Sequence, residues 1–376
     1  MSPASSGHRI MRLVTTVILL LLPTLAASAA KGPAGRKIVV QDMLERKVSV
    51  PANPQRIIAL AGALRMVVYL NAFDRVVGVE GIEKETPAPS GRPYGMAISQ
   101  KAAALPDVGE GGLKPVNIEK IITLRPDVIF AAGFDRFQAD DMTRKTGVPV
   151  VALSYGGTGI LSDDRALRSL TLLGRVLGEE KRARDITTYI TGIRADLSRR
   201  TRGIATGSPK VYAGCIAYKG IHGITSTDAD FFPLDVLGAS NVAKDLRKGG
   251  HLFIDREQIL VWDPDVILID VAGMALLRND YAAHPFFFRK LKAVREGRVF
   301  QVMPYNNYYT NIETALADAY AAGVYLYPQR FTGIDPDRKA AEIIRFFTGV
   351  AAFDSMKREF GGFRRLEFSG RGICVR

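Results

Sequence analysis

Hydrophobic positions along the chain follow two periods in alternation. Short β-branched runs, the pattern of buried strands, occur at Arg56–Leu60, Val76–Val79, Asp127–Ala131 and Val148–Leu153, and stretches with helical spacing separate them. Ahead of these, Lys37–Val40 and Lys47–Val50 flank the polar turn Asp42–Arg46 and predict an opening hairpin. From Ser162, a capping residue followed by two acids, the pattern stays helical to Arg200. Ile186, Tyr189, Ile190, Ile193 and Leu197 make one apolar stripe there, Gly174 and Gly178 predict a break into two helices, and residues 203–209 close the segment. A second strand and helix series follows at Lys210–Ile216, Asp265–Ile269 and Arg298–Val302. Alternating strands and helices imply parallel sheets. The chain therefore reads as α/β: lobes over 36–161 and 204–376, each a mainly parallel sheet flanked by helices, joined by a long helical connector over 162–203.

One internal repeat stands out. Asn117-Ile-Glu-Lys-Ile-Ile-Thr-Leu-Arg-Pro-Asp-Val-Ile-Phe130 matches Asp255-Arg-Glu-Gln-Ile-Leu-Val-Trp-Asp-Pro-Asp-Val-Ile-Leu268. Each is a short capped helix, a Pro-Asp turn and a buried strand. Such punctuation is common in α/β chains, but a glutamate at the same offset before an identical Pro-Asp-Val-Ile favours related lobes.

The first residues change the compartment. Arg9 and Arg12, the apolar core from Leu13 to Leu22 and the small residues Ala27-Ser28-Ala29-Ala30 form a three-part export signal over 1–29, with cleavage expected near Ala29 or Ala30. The apolar run is short and broken by Pro23, which excludes an integral transporter. The expected location is the periplasm. Losing the two arginines lowers the formal charge from +13 to +11, a balance that attracts anions. The basic residues are scattered without a basic run or an aromatic-basic motif, so nucleic acid is not an expected partner. Cys215 and Cys374 could pair in an oxidising compartment, although two cysteines this far apart establish nothing, and no CxxC is present for metal-thiolate chemistry.

These features together resemble the helical-connector class of periplasmic substrate-binding proteins, which deliver ferric siderophores, haem and cobalamin to ABC importers. The resemblance covers almost all of the chain after the leader. It runs from Val50-Pro51 and Pro54-Gln55-Arg56-Ile57-Ile58 through the Glu-x-Ile-x-x-Leu-x-Pro-Asp-Val-Ile repeat and Leu173-Gly174-x-x-Leu177-Gly178-Glu179. It continues through Leu291-Lys292-Ala293-Val294-Arg295-Glu296-Gly297-Arg298-Val299-Phe300 to Phe360-Gly361-Gly362-Phe363. The class usually has glycine in the opening turn where this chain has Leu44-Glu45-Arg46, and the Tyr305–Asn311 stretch looks particular to a subgroup. The resemblance implies capture of a metal chelate, most simply a ferric siderophore or related iron complex, by a monomer that needs no cofactor. Haem or a corrinoid is the alternative on the same scaffold. It also implies that Glu119 and Glu257, one on each lobe, dock onto the importer's membrane subunits; as ordinary helix-start carboxylates they would contribute only tenths of a kcal/mol.

Ligands of open parallel sheets sit beyond the carboxyl ends of the strands. The loops there supply the candidates: Arg65; Phe134, Asp135, Arg136 and Phe137; Tyr155; Tyr218, Lys219 and His222; Met274 and Arg278; and Tyr305, Asn306, Asn307, Tyr308 and Tyr309. Aromatic faces can cover a flat chelate while cations neutralise its carboxylates or catecholates. Arg65 and Arg136 lie near helix starts, where solvation or pairing with an acid is the competing role. The tyrosine-rich stretch is hard to bury without polar partners, and His222 is equally compatible with a structural role.

An enzyme is the main rival. There is no GxSxG, no HExxH and no paired-cysteine motif. Gly157-Thr158-Gly159-Ile160-Leu161-Ser162 misses the dinucleotide fingerprint by placing serine where the third glycine belongs. A bare-metal binder would need several converging His, Asp or Glu side chains, and no ligand-spaced cluster appears. Any metal is expected to arrive inside its chelator.

Overall fold

The computed structural model describes residues 36–376 apart from 113, 157–160, 162, 205–207 and 247–248. The export signal and most of the Gly157–Ser162 near-fingerprint lie outside the described residues. Strands β1 (Lys37–Gln41) and β2 (Lys47–Pro51) form the expected antiparallel hairpin, with Val39 opposite Ser49. Its turn works without glycine. Glu45 takes the left-handed conformation (φ 59°), and the buried Asp42 carboxylate accepts from the Leu44 and Arg46 amides and the Arg46 guanidinium. That side chain supplies the closure that glycine's freedom would otherwise permit.

The first sheet contains β3 (Ile57–Leu60), β4 (Val76–Gly78), β5 (Val128–Ala132) and β6 (Val150–Leu153), all parallel in the order β4-β3-β5-β6. β3, β5 and β6 are buried along their whole length, which is why they read as unbroken apolar runs rather than alternating ones. The second half adds β7 (Lys210–Gly214), β8 (Ser226–Asp228), β9 (Ser240–Asn241), β10 (His251–Phe253), β11 (Val266–Asp270), β12 (Val299–Val302), β13 (Arg365–Ser369) and β14 (Gly372–Val375). Its six-stranded sheet has the order β14-β13-β12-β11-β7-β9. β9, β7, β11 and β12 run parallel, and the terminal pair β13-β14 extends them antiparallel. β8 and β10 form a separate antiparallel ribbon that sets His251 opposite Asp228.

The repeat has one physical cause in both halves. Helices Ile118–Leu124 and Arg256–Trp262 end at residues in the left-handed conformation, Arg125 and Asp263. The aspartate after each proline then clamps the start of the neighbouring strand. Asp127 accepts from the amides of Gln55 and Arg56 at 2.8 and 2.9 Å, and Asp265 accepts from the amide of Lys210 at 2.8 Å. The side chains of Arg56 and Lys210 return to the helix ends, donating to the carbonyls of Leu124 and Trp262. The same two residues thus align a strand start and satisfy a helix C-terminus.

Between the sheets lie helices Arg165–Leu177 and Glu180–Thr201. Gly178 (φ 71°) ends the first, whereas Gly174 stays inside it and lets the second helix approach closely: a Cβ there would meet the Ala183 side chain at 2.5 Å. Of the predicted stripe, Ile186, Ile190, Ile193 and Leu197 are buried, each contributing about 1.5–3 kcal/mol, and Tyr189 packs on its edge. Cys215 is buried, Cys374 is exposed and both are free, so the permitted disulfide is not formed. No helix among the described residues is long and apolar enough to cross a membrane.

Candidate ligand-binding site

A cavity of about 1050 Å³ opens where the strand ends of the two sheets face each other. The loop after β6 contributes Tyr155, the loop after β7 contributes Ala217 to Ile221, and the turn after β11 contributes Val271 and Ala272. Residues Pro304 to Thr310, after β12, form the longest continuous wall. From the first half, Pro89, Gly91, Gly111, Gly112 and Lys114 complete the opposite side. Glycines admit one wall residue closely: Gly62 (φ 80°) and Gly133 (φ 73°) lie against the Tyr309 side chain, and a Cβ would come within 2.7 Å of its ring at the first and 2.8 Å of its hydroxyl at the second.

The wall after β12 is anchored from the other half by Arg65, which is wholly buried. Its five N–H donors meet five acceptors: the Asn311 side chain (3.1 Å), the Tyr155 hydroxyl (3.3 Å) and the carbonyls of Thr310, Asn307 and Tyr308 (2.8, 3.1 and 2.7 Å). Burial works against its charge, but the surrounding tyrosines and Glu313 hold the guanidinium charged, raising its pKa. Tyr94 lies under it, 4.4 Å from ring centroid to guanidinium carbon. Around this strut Tyr69 donates to Glu313, Asn311 donates to the Gly91 carbonyl, and Tyr308 donates to Glu80 at 2.5 Å. Tyr308 and Tyr309 both take left-handed backbone conformations (φ 50° and 62°), at a cost of about 1–3 kcal/mol each. The carbonyl bonds to Arg65 offset that cost.

The structure therefore corrects the part expected of the arginines. Arg65 is a cross-half strut and does not line the cavity. Arg136 is exposed and donates to the Leu44 carbonyl of the opening hairpin, and Arg278 is exposed on helix Met274–Ala283; neither is among the lining residues. Both start or ride helices whose inner faces pack on the sheet, which turns the long side chain outward. Phe134, Phe137 and Met274 also stay outside the lining, and Asp135 caps helix Arg136–Thr146. His222 sits beside the cavity mouth, its Nε2 2.8 Å from the Tyr218 carbonyl. Brought together in the lining are Tyr155, Tyr218, Lys219, Tyr305, Asn306, Asn307, Tyr308 and Tyr309.

Cationic charge comes instead from Lys219, whose ammonium lies 5.3 Å from the Tyr218 ring centroid, and from Lys114, paired with Glu110. Lys114 and His251 were not recognisable in the sequence as wall residues, because neither follows a predicted strand. Burial pushes the Tyr155 hydroxyl up to about 12, so this ring stays a neutral phenol against its guanidinium neighbour. Burial also raises Glu80 to about 7, Asp228 to about 6 and Asp270 to about 7. Among the described residues no group of three His, Cys, Asp or Glu is placed to hold a metal ion. Glu119 and Glu257 are exposed near the N-termini of their matching helices.

Residues 58–305 match the family described as periplasmic binding protein. The molybdate-binding protein MolA of Haemophilus influenzae is 26% identical over 362 residues, covering 90% of this chain and 97% of that protein. Its molybdate-bound structure superposes with a TM-score of 0.66 at 22% identity, over 83% of this chain and 98% of its own. The triscatecholate siderophore-binding protein FeuA of Bacillus subtilis, in complex with ferri-bacillibactin, gives 0.57 at 18% identity, over 78% and 99%. Helicobacter pylori CeuE with Ni(II) bound gives 0.60 at 15% identity, over 85% and 99%.

Proposed function

Because this chain belongs to the periplasmic binding protein family, a family of substrate-binding proteins rather than enzymes, we propose that its cavity captures an anionic metal chelate of ferric-siderophore size. Proteins of the family hand a transported substrate, not a cofactor, to the membrane subunits of an ABC importer. Export with cleavage near Ala29 or Ala30, a monomeric state and lobes bounded near 36–161 and 204–376 around the connector 162–203 belong to the same reading.

The observation that carries the reading is the cavity itself. At about 1050 Å³ it matches the upper range of small-molecule pockets, roughly 300–1,000 Å³. Tyrosines enter from both halves, and each half supplies one lysine. A charge-assisted hydrogen bond contributes about 1.5–3 kcal/mol and a stacked ring about 0.5–1.5. Two lysines and several tyrosine faces thus approach the roughly 8 kcal/mol of a micromolar complex. A second reading, a small oxyanion, is favoured by the nearly full-length similarity to the Haemophilus molybdate binder. Calorimetric titration with ferric siderophores, haem, cobalamin and molybdate, beside native mass spectrometry of protein isolated with its own ligand, decides between them. Saturable one-to-one binding of a ferric chelate is expected. Saturation by molybdate alone would replace the chelate with the oxyanion.

A further inference from the structure

A second groove, of about 810 Å³, shares no lining residue with the ligand cavity. It runs along the two helices between the sheets. Arg168, Thr171, Leu172 and Arg175 share one face of helix Arg165–Leu177, because three- and four-residue steps bring side chains to the same side. Thr187, Thr191 and Arg194 do the same on helix Glu180–Thr201. The opening hairpin adds Gln41 and Met43.

Three guanidinium groups line this groove against one carboxylate, Asp164. Two of the arginines have weak partners: Arg168 meets Glu45 at 3.5 Å, Arg194 meets Asp164 at 3.2 Å, and both carboxylates are exposed. Exposed pairs of this kind contribute little, so another anion can take the acid's place. Arg175 is exposed and has no ion-pair or hydrogen-bond partner among the described residues. The threonine donors are already used. Thr171, Thr187 and Thr191 donate to the carbonyls of Leu167, Ala183 and Thr187 at 2.9, 2.9 and 2.8 Å within their own helices. Apart from Gln41, the rest of the lining is apolar: Met43, Leu167, Leu172 and Ala195.

We propose that this groove seats the protein on the anionic phospholipid surface of a membrane, its guanidinium groups on lipid phosphates and its apolar side chains against the glycerol and upper acyl region. The role goes beyond cargo capture and uses no part of the cavity. Charge complementarity carries it. Each basic group held near an anionic bilayer raises affinity about fivefold, and the formal charge of +13 adds long-range attraction of the same sign. Family members also work beside a membrane, since their importer is embedded in one. The layout suits a surface better than a small free anion. Arg168 and Arg175 are anchored about 10 Å apart by helical rise, and Arg194 stands on the other helix, so the three groups meet phosphates presented side by side. A free phosphate gains nothing from the apolar side chains, whereas a lipid does.

The test uses chain purified after export, so that the apolar leader does not bind lipid on its own. In cosedimentation at low salt, the protein should bind vesicles of equal parts phosphatidylglycerol and phosphatidylcholine but not pure phosphatidylcholine vesicles. Added salt should weaken the binding. The Arg168→Gln, Arg175→Gln, Arg194→Gln triple variant should lose about 100-fold in vesicle affinity. An Arg278→Gln, Lys290→Gln, Arg371→Gln variant, changed at exposed positions of the second half, alters the net charge equally and should lose less than about fivefold. Equal losses in the two triple variants, or no wild-type binding to the anionic vesicles, would overturn the groove. Calorimetric titration with soluble glycerol phosphate separates the two sources of phosphate. No saturation is expected, and binding as tight as to the vesicles would replace the membrane with a free phosphate ester. Thermal melts control for folding. Arg175→Gln alone breaks no contact among the described residues, so it keeps the test open if the triple variant does not fold; it should lose about fivefold, and wild-type affinity in it would equally count against the assignment.

Discussion

Replacing Arg65 with methionine separates a strut from a ligand contact. The substitution keeps much of the buried volume but deletes five hydrogen bonds, three of them to backbone carbonyls of the wall after β12. Those carbonyls and the Asn311 side chain are then left without their donor, and Glu313 loses the buried cation that offsets its charge. Removing one partner from a buried charged network costs about 3–5 kcal/mol, and the left-handed backbone of Tyr308 and Tyr309 loses its support. Urea unfolding followed by far-ultraviolet circular dichroism should show that loss at unchanged slope. Ligand affinity should fall as well, because the wall is no longer held. Arg65→Lys has three donors in place of five and should recover less than half of the stability. A loss below about 1 kcal/mol, or an affinity loss at full stability, would refute the strut and return Arg65 to the role of a ligand-facing cation.

Two further outcomes follow from the same network and surface. Glu80 is held by burial at about 7, above its ordinary value, so the folded state keeps this proton while the unfolded chain releases it. Its contribution to stability is full below about pH 4.5 and is lost as pH rises to about 7; relative to Glu80→Gln, wild type should lose up to about 1.4 kcal/mol per pH unit across that window. Equal slopes for the two proteins in denaturant titrations at pH 5, 6 and 7 would contradict the assignment. In the proposed docking role, the Glu119→Ala, Glu257→Ala double variant should keep its ligand affinity while uptake through the importer falls by more than either single change causes, since two weak contacts act through effective concentration. Unchanged transport in reconstituted vesicles would return both residues to ordinary helix-start carboxylates.

Local physics was legible in the sequence. The opening hairpin, the buried strands of both halves and the stripe of helix Glu180–Thr201 follow from periods that neighbouring residues set among themselves. The Pro-Asp repeat was visible as a pattern, and its strand-clamping reason became clear only when Asp127 and Asp265 were seen on the amides of strands begun 71 and 55 positions earlier. The rule that ligands gather at strand ends led to the loops that form the cavity. It could not say which side chain of a loop turns inward. β8, β9 and β10 escaped the sequence because Ser-Thr-Asp, Ser-Asn and His-Leu-Phe are short and lack the β-branched apolar run that marked the equally short β4, and His251 was hidden with them.

Tertiary structure decided the charge distribution of the site. Arginine after a strand end suits an anion as well as it suits a buried network, and only a partner 246 positions away, Asn311, selects the second use of Arg65. Arg136 and Arg278 face outward for the complementary reason: the helices that carry them spend their apolar faces on the sheet, and a long cation gains more from water than from the cavity. The gathering of Arg168, Arg175 and Arg194 along one groove likewise depends on two helices that meet only in the folded chain. Sequence periodicity determined which segments are strands and helices because that choice is made over a few residues. The protonation states and directions of the groups around the cavity were settled by burial and distant partners, whose energies no local pattern contains.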